Sequence, residues 1–201
     1  MEQNNLLLKE GFKPLAIALA LAVFSFLFLC NTLGFIFLVA GMFIFYIYRN
    51  PIMGFIPKDE NNIMSPIVGK ISSIDYSKNN YKIYIDVNLC DKHILRAPKS
   101  SAFHIKKIIH GLNLCHNTFK AKELNSRATL KFDDIKVKLL SGVCNKEIIL
   151  EEEEQVITSQ RVGLFFHGLV MVEIPKNEYE LSVTLGQKVQ YETKLAHPFE
   201  K

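Results

Sequence analysis

Hydrophobic and polar positions divide this chain into two regimes. From Pro14 to Tyr48 no residue carries a charge, and the run breaks only at Asn31-Thr32-Leu33-Gly34. Leu15–Cys30 and Gly34–Tyr48 are each uncharged and apolar, with Ser25 the polar exception in the first. As one straight helix the run would be roughly 50 Å long, well beyond a hydrocarbon core of about 30 Å. Two short helices of about 25 Å each, joined near Asn31 and Gly34, fit better. The pattern therefore predicts a transmembrane helical hairpin over residues 14–48, after a short cytosolic N-terminus at 1–13. Lys9 and Lys13 precede the run and Arg49 and Lys58 follow it. The excess of positive charge at both ends places both in the cytoplasm. Tyr46 and Tyr48 suit an interfacial belt. A cleaved signal peptide fits poorly, because the apolar stretch is too long and no small-residue cleavage site follows it. A single spanning helix with the remaining chain outside the cytoplasm is the rival topology.

After Arg49-Asn50-Pro51 the pattern changes. Residues 49–62 read as a linker that ends in the polar run Asp59-Glu60-Asn61-Asn62. Strand-like segments rich in Ile, Val, Tyr and Phe then follow one another over residues 63–201. They cover Lys70–Tyr76, Tyr81–Val87, Phe103–His110, Ala128–Leu140, Glu147–Glu151, Gly163–Ile174 and Tyr179–Leu185. Tyr81, Ile83, Ile85 and Val87 share one face. Ile135, Val137 and Leu139 share another, opposite Lys136 and Lys138. Asn79-Asn80, Gly111, Asp133-Asp134, Gly142 and Gly186 supply the turns. The four residues Glu151–Glu154 read as a solvated turn or a short helix. The fold class is a membrane hairpin followed by a mainly antiparallel β domain with minor helix.

Composition adds a little. The 201 residues carry 24 Lys and Arg against 20 Asp and Glu, a formal net charge of +4. Lys9 and Lys13 balance Glu2 and Glu10, so the excess lies beyond residue 48. That suits a domain close to anionic headgroups; no nucleic-acid-binding motif accompanies it. Lys92, His93, Arg96, Lys99, His104, Lys106, Lys107 and His110 form a basic stretch that is expected to face lipid. The alternative is a solvated strand face. Cys30, Cys90, Cys115 and Cys144 show no paired metal-ligand spacing, so they are expected to be reduced, mostly buried thiols, with no metal site.

Several short motifs occur in one order: Ser65-Pro66-Ile67-Val68-Gly69, then His93-Ile94-Leu95-Arg96-Ala97-Pro98, then Asn125-Ser126-Arg127, then Arg161-Val162-Gly163-Leu164-Phe165-Phe166-His167-Gly168-Leu169. In succession and spacing they resemble the SPADG-, HxNRAP-, NER- and RFGS-type motifs of the short, membrane-hairpin phosphatidylserine decarboxylases. The resemblance runs from the hairpin to the C-terminus. It implies a proenzyme in which a serine after glycine attacks the glycine carbonyl. The resulting ester then eliminates, which cuts the chain and leaves a pyruvoyl group on the new N-terminus. That carbonyl forms a Schiff base with phosphatidylserine and accepts the electrons released with carbon dioxide.

Carried onto this sequence, the cleavage pair falls on Gly168 and Leu169. Leucine has no hydroxyl or thiol, and no Gly-Ser dipeptide occurs anywhere in the chain. The aspartate of the SPADG-type motif, which helps orient a base, corresponds to Val68. His93 matches the family histidine and is a candidate catalytic residue or headgroup contact. Asn125, Arg127 and Arg96 are expected to bind substrate, Arg127 through a bidentate contact to phosphate or carboxylate. Structural roles are the alternative for each. His167 has no counterpart among the family residues. The sequence thus points to a decarboxylase-related lipid-binding pseudoenzyme on the cytoplasmic side of the inner membrane, without the pyruvoyl group. Its partners would be anionic headgroups and either a second copy or an active paralogue. The alternatives are an active phosphatidylserine decarboxylase that matures in an unconventional way and a purely structural membrane-tethered domain.

Overall fold

The computed structural model describes residues 6–50, 61–143, 145 and 147–199. The chain divides into two compact units, 1–54 and 55–201. The first contains α1 (Lys9–Phe28) and α2 (Asn31–Ile47). α1 begins a turn and a half earlier than the apolar run, because Lys9, Glu10 and Lys13 are good helix formers. Pro14 lies inside it and costs the helix one N–H bond, to the Glu10 carbonyl. The chain turns at Leu29-Cys30, just before the expected joint, and Gly34 lies within α2.

The two helices pack as an antiparallel pair, and small residues let them approach. A Cβ on Gly34 would lie 2.6 Å from the Phe26 ring, and one on Gly41 would lie 3.8 Å from the Ala18 methyl. The ends are tied. Leu8 N–H donates to the Tyr48 carbonyl at 2.9 Å and Asn50 N–H to the Leu6 carbonyl at 2.8 Å. Among the described residues α1 alone is long and apolar enough to cross a membrane; α2 is apolar but shorter.

The second unit is β-rich. Its strands are β1 (Ile63–Met64), β2 (Gly69–Tyr76), β3 (Asn80–Val87), β4 (Ile94–Arg96), β5 (Ser101–Ile109), β6 (Arg127–Phe132) and β7 (Ile135–Ser141), with the short helix α3 (Ala121–Leu124) between β5 and β6. They continue as β8 (Ile149–Leu150), β9 (Gln155–Val156), β10 (Arg161–Leu164), β11 (Gly168–Pro175), β12 (Tyr179–Leu181), β13 (Lys188–Val189) and β14 (Lys194–Pro198). The main sheet runs β13-β2-β3-β11-β7-β6-β5-β9, antiparallel throughout. Two three-stranded sheets, β1-β14-β12 and β4-β10-β8, accompany it.

The core follows the alternation. Ile83, Ile85 and Val87 of β3, Val170 and Val172 of β11, and Val137 and Leu139 of β7 are all buried on one face. Two expected strands are each divided in two. The segment 128–140 turns at Asp133, whose φ of 47° lies in the left-handed region that Asp and Asn tolerate. The segment 163–174 breaks over Phe165–His167, so that β10 and β11 belong to different sheets. The expected segments 147–151 and 179–185 shrink to β8 and β12.

The expectation of buried thiols fails for the described cysteines, since Cys30, Cys90 and Cys115 are exposed. Cys144 lies outside the described residues, as does Lys58.

Candidate site around the start of strand β11

The break before Gly168 gathers segments that are distant in sequence. Gly168 begins β11 and is paired on both sides, with Val87 of β3 and Ser141 of β7. Its φ is +136°. A Cβ there would lie 2.2 Å from the Leu140 carbonyl oxygen, so both its conformation and its surroundings require glycine. Leu169 follows in the middle of the sheet, opposite Asp86 on one side and Leu140 on the other. The core face takes Val170, so Leu169 and Asp86 project together from the outer face.

Hydrogen bonds link the motifs read in the sequence to one another and to this break. Arg96 N–H donates to the Pro66 carbonyl at 2.8 Å and Met64 N–H to that of Pro98 at 2.9 Å, which joins 65–69 to 93–98. β10 pairs with β4, setting Leu164 beside Ile94. Phe165 N–H donates to the His93 carbonyl at 2.8 Å, and the Phe166 ring packs 5.1 Å from the His93 ring. Asn125 reaches the same region from the other side, where its Nδ2 donates to the carbonyl of Ser141, the β7 neighbour of Gly168.

Several side chains expected to meet substrate face inward. His93 is 1% exposed, and its Nε2–H donates to the Leu89 carbonyl at 2.9 Å. Arg96 is 2% exposed. Its Nη1 donates to the Ser159 carbonyl at 2.7 Å, and its guanidinium lies 5.0 Å from the Tyr191 ring centroid. Both residues therefore leave the expected basic, lipid-facing surface, because burying a charge is affordable only with partners of this kind. Lys99 donates to the Tyr179 hydroxyl at 2.8 Å, away from the exposed His104, Lys106, Lys107 and His110. The basic stretch is thus divided rather than continuous. Asn125 is fully buried and bonded to backbone alone. Arg127 donates through Nη1 to the carbonyls of Lys122 and Glu123, closing the end of α3. Val68 is half-buried at the entry to β2.

On the outer face lies a group that sequence reading passed over. Asp86 Oδ1 is 3.0 Å from His116 Nε2, and the His116 ring stands edge-on to that of His167, with centroids 5.3 Å apart. Gly142 makes room for the pair. A Cβ there would lie 2.3 Å from His167 Nδ1 and 3.1 Å from His116 Nδ1. Burial lowers the His167 pKa from its usual value, the neighbouring His116 lowers it further, and Asp86 opposes the shift. An Asp–His pair can accept and hold a proton. Leu169, directly across from Asp86, has none to give.

A pH dependence follows. His167 titrates at a lower pH in the folded protein than in the unfolded chain, so unfolding takes up a proton. Its stabilising contribution is complete above the unfolded-state pKa of about 6.5 and is lost as pH falls through the folded value. Replacing His167 with Gln should flatten the acid limb of a melting-temperature profile; an unchanged limb would rule this out.

Among the described residues no group of three or more His, Cys, Asp or Glu is arranged to hold a metal ion. The profile of the family described as "Phosphatidylserine decarboxylase" matches residues 41–197. This chain belongs to the phosphatidylserine decarboxylase family. Relatives include the phosphatidylserine decarboxylase proenzyme of Pelagibacter ubique, 30% identical over an aligned length of 207 residues that covers 93% of this chain and 94% of the relative. That of Desulfotalea psychrophila is 30% identical over 199 aligned residues, covering 90% and 91%. That of Ehrlichia ruminantium (strain Gardel) is 29% identical over 197, covering 90% and 86%. No solved structure matches. At the level of the phosphatidylserine decarboxylase family, then, the chain is a protein of phospholipid metabolism with a membrane-associated helix and a β-rich domain.

Proposed function

We propose that this protein is a phospholipid-binding member of the family that stays one uncut chain and carries no pyruvoyl group. The observation that carries the reading is Leu169. A pyruvoyl group derives from a residue with a heteroatom on Cβ, and the leucine side chain is hydrocarbon only. The residue sits inside a strand bonded on both sides, and Asp86, which pairs with His116, lies directly across the ladder from that hydrocarbon. The residues present do not fit the cofactor. Val68, in place of the motif aspartate, removes a second polar group. In this reading His93, Arg96, Asn125 and Arg127 hold the loops around them in place, and the bonds from their side chains to backbone carbonyls support that role. The function left to the protein is recognition of an anionic phospholipid surface, on its own or beside an active paralogue.

We also place the helices as a membrane hairpin over 14–48, with the β domain of residues 63–201 on the cytoplasmic side of the inner membrane. The tied ends of α1 and α2 and the flanking Lys9, Lys13 and Arg49 support this arrangement.

A second reading, an active decarboxylase with unconventional maturation, is favoured by the names of the relatives, which are proenzymes. Intact-mass measurement of the purified chain separates the two. We expect one species at the full 23.0 kDa, unchanged by borohydride. A fragment that begins at residue 169 with a blocked N-terminus would establish the second reading instead.

A further inference from the structure

Beyond the two helices most of the described phenylalanines are buried, while Tyr76 and Phe199 are 68% and 48% exposed. Phe103, Phe132, Phe165 and Phe166 are all buried. Phe119 is 80% exposed, in the connection between β5 and β6, just before α3. Leu112 and Leu124 of the same connection are 55% and 46% exposed, and Ile108 at the end of β5 is 41% exposed.

This patch is displayed by a structured connection. Leu112 N–H donates to the Leu124 carbonyl at 2.7 Å and Ser126 N–H to that of Leu112 at 3.0 Å. Thr118 N–H closes a turn on the Cys115 carbonyl at 3.0 Å, and Asn125 clamps Leu114 from inside. Exposed apolar side chains on an ordered support mark a surface that meets something apolar. Lys106, Lys107, Lys120 and Lys122 flank them in the chain, all exposed, and the acids are Glu123 and Glu147, the latter beside Ile108.

The occupant follows from two facts. Lysines flanking an aromatic and aliphatic patch complement an anionic bilayer, where the apolar groups enter the acyl boundary and the ammonium groups stay among the phosphates. The same chain also carries α1, long and apolar enough to span a membrane. Residues 48–62, between α2 and β1, reach at most about 50 Å. A bilayer surface is therefore always within range of the domain, whereas a protein partner must be met by diffusion.

We propose that residues 108–124 form a second membrane contact, separate from the helical anchor, in which Phe119 enters an anionic bilayer at the headgroup–acyl boundary. His116 lies three residues before Phe119 and pairs with Asp86 across from Leu169, so this contact turns the outer face of the site toward the headgroup layer. It requires the membrane association of the chain but not the uncut state.

The chain contains no tryptophan, so one introduced indole reports alone. The full-length Phe119→Trp variant, in vesicles of phosphatidylcholine with a quarter phosphatidylglycerol, should emit to the blue of an aqueous indole. Lipids brominated on the acyl chain should quench it about two-fold, as expected for a residue at the acyl boundary. Leu124→Trp gives the same reading from a second position in the patch. Leu185→Trp is the reference: Leu185 is 68% exposed and its neighbour Gly186 bonds to Ile71 of β2, near the opposite edge of the main sheet. Its emission should be unaffected by bromine. Charge reversal at Lys120 and Lys122 should reduce quenching at position 119. Quenching equal at 119 and 185 would overturn the proposal. So would a blue shift at 119 without bromine quenching that grows with protein-to-lipid ratio, since a second copy would then cover the patch. An uncut mass with no quenching would leave the functional reading standing while removing this contact, and a cut chain with quenching would do the reverse.

Discussion

Replacing Gly168 with Ala should lower the melting temperature of the detergent-solubilised protein by roughly 10 °C, a loss of about 3 to 5 kcal/mol. Two costs add. A φ of +136° is a region that side chains other than glycine enter at about 1 to 3 kcal/mol. The new methyl would also lie 2.2 Å from the Leu140 carbonyl oxygen, 2.8 Å from the Gly142 nitrogen and 3.0 Å from Phe165 Cζ. Two of these are backbone atoms of a paired strand and its turn, which cannot rotate away, and overpacking of this kind costs about 1 to 3 kcal/mol more. Gly186 supplies an internal control. Its φ is +81°, and nothing lies within 4 Å of where its Cβ would be. Gly186→Ala therefore incurs the conformational cost alone, about 1 kcal/mol. A Gly168→Ala protein that melts within two or three degrees of Gly186→Ala would show that the close approach to β7 carries no energy. The contrast bears on function as well. Packing alone accounts for glycine at position 168, so its presence there is no argument that the bond to residue 169 is cut.

The parts of the fold that can be read from the sequence are those fixed by local period. The alternation in Tyr81–Val87 and Ile135–Leu139 assigns faces because side chains in a strand point to opposite sides in turn, and those faces are the ones the core uses. The break between β10 and β11 gives no such signal. Phe165 and Phe166 are as apolar as any strand residue, and the chain leaves one sheet for another only because Gly168 must start a new ladder between Val87 and Ser141. Arg96 misleads for a related reason. Charge in a sequence reads as surface, whereas its partners, Ser159 and Tyr191, are supplied by segments more than sixty residues away. The Asp86–His116–His167 group was hidden for the same cause: its members come from β3, the connection between β5 and β6, and the bend before β11, and no spacing links them. The motifs are nonetheless neighbours in the fold: 65–69 bonds to 93–98, His93 bonds to Phe165, and Asn125 bonds to Ser141 beside Gly168. Which side chains face the surroundings of Gly168 depends on tertiary contacts that no local pattern encodes.

Asn125→Asp should damage the protein more than Asn125→Ala at neutral pH, although aspartate is the closer isostere. The wild-type amide is fully buried and makes three bonds. It accepts from Leu114 N–H at 2.9 Å and donates from Nδ2 to the carbonyls of Leu114 and Ser141, each at 2.7 Å. Alanine leaves those backbone groups without partners. At about 1 to 3 kcal/mol for each buried orphan, relieved in part by water entering the cavity, the loss should be about 3 kcal/mol. Aspartate keeps the acceptor toward Leu114 N–H but sets a carboxylate oxygen against two carbonyl oxygens in a site with no cation among its partners. Burial and repulsion would raise its folded-state pKa, so folding would take up a proton that the unfolded chain lacks at neutral pH. Stability of the Asp variant should therefore be highest below the unfolded carboxylate pKa, near 4, and fall as pH rises through the folded value, with the order of the two variants reversing in acid. Hydrogen exchange should quicken over residues 112–124 in both variants, because Asn125 is the clamp that holds Leu114 against the end of β7. The contrary outcome is equally definite. If Asn125→Ala melted like the wild type and lost only its affinity for phospholipid, the residue would be a headgroup contact, and the inward bonds of its amide would have no part in holding the site together.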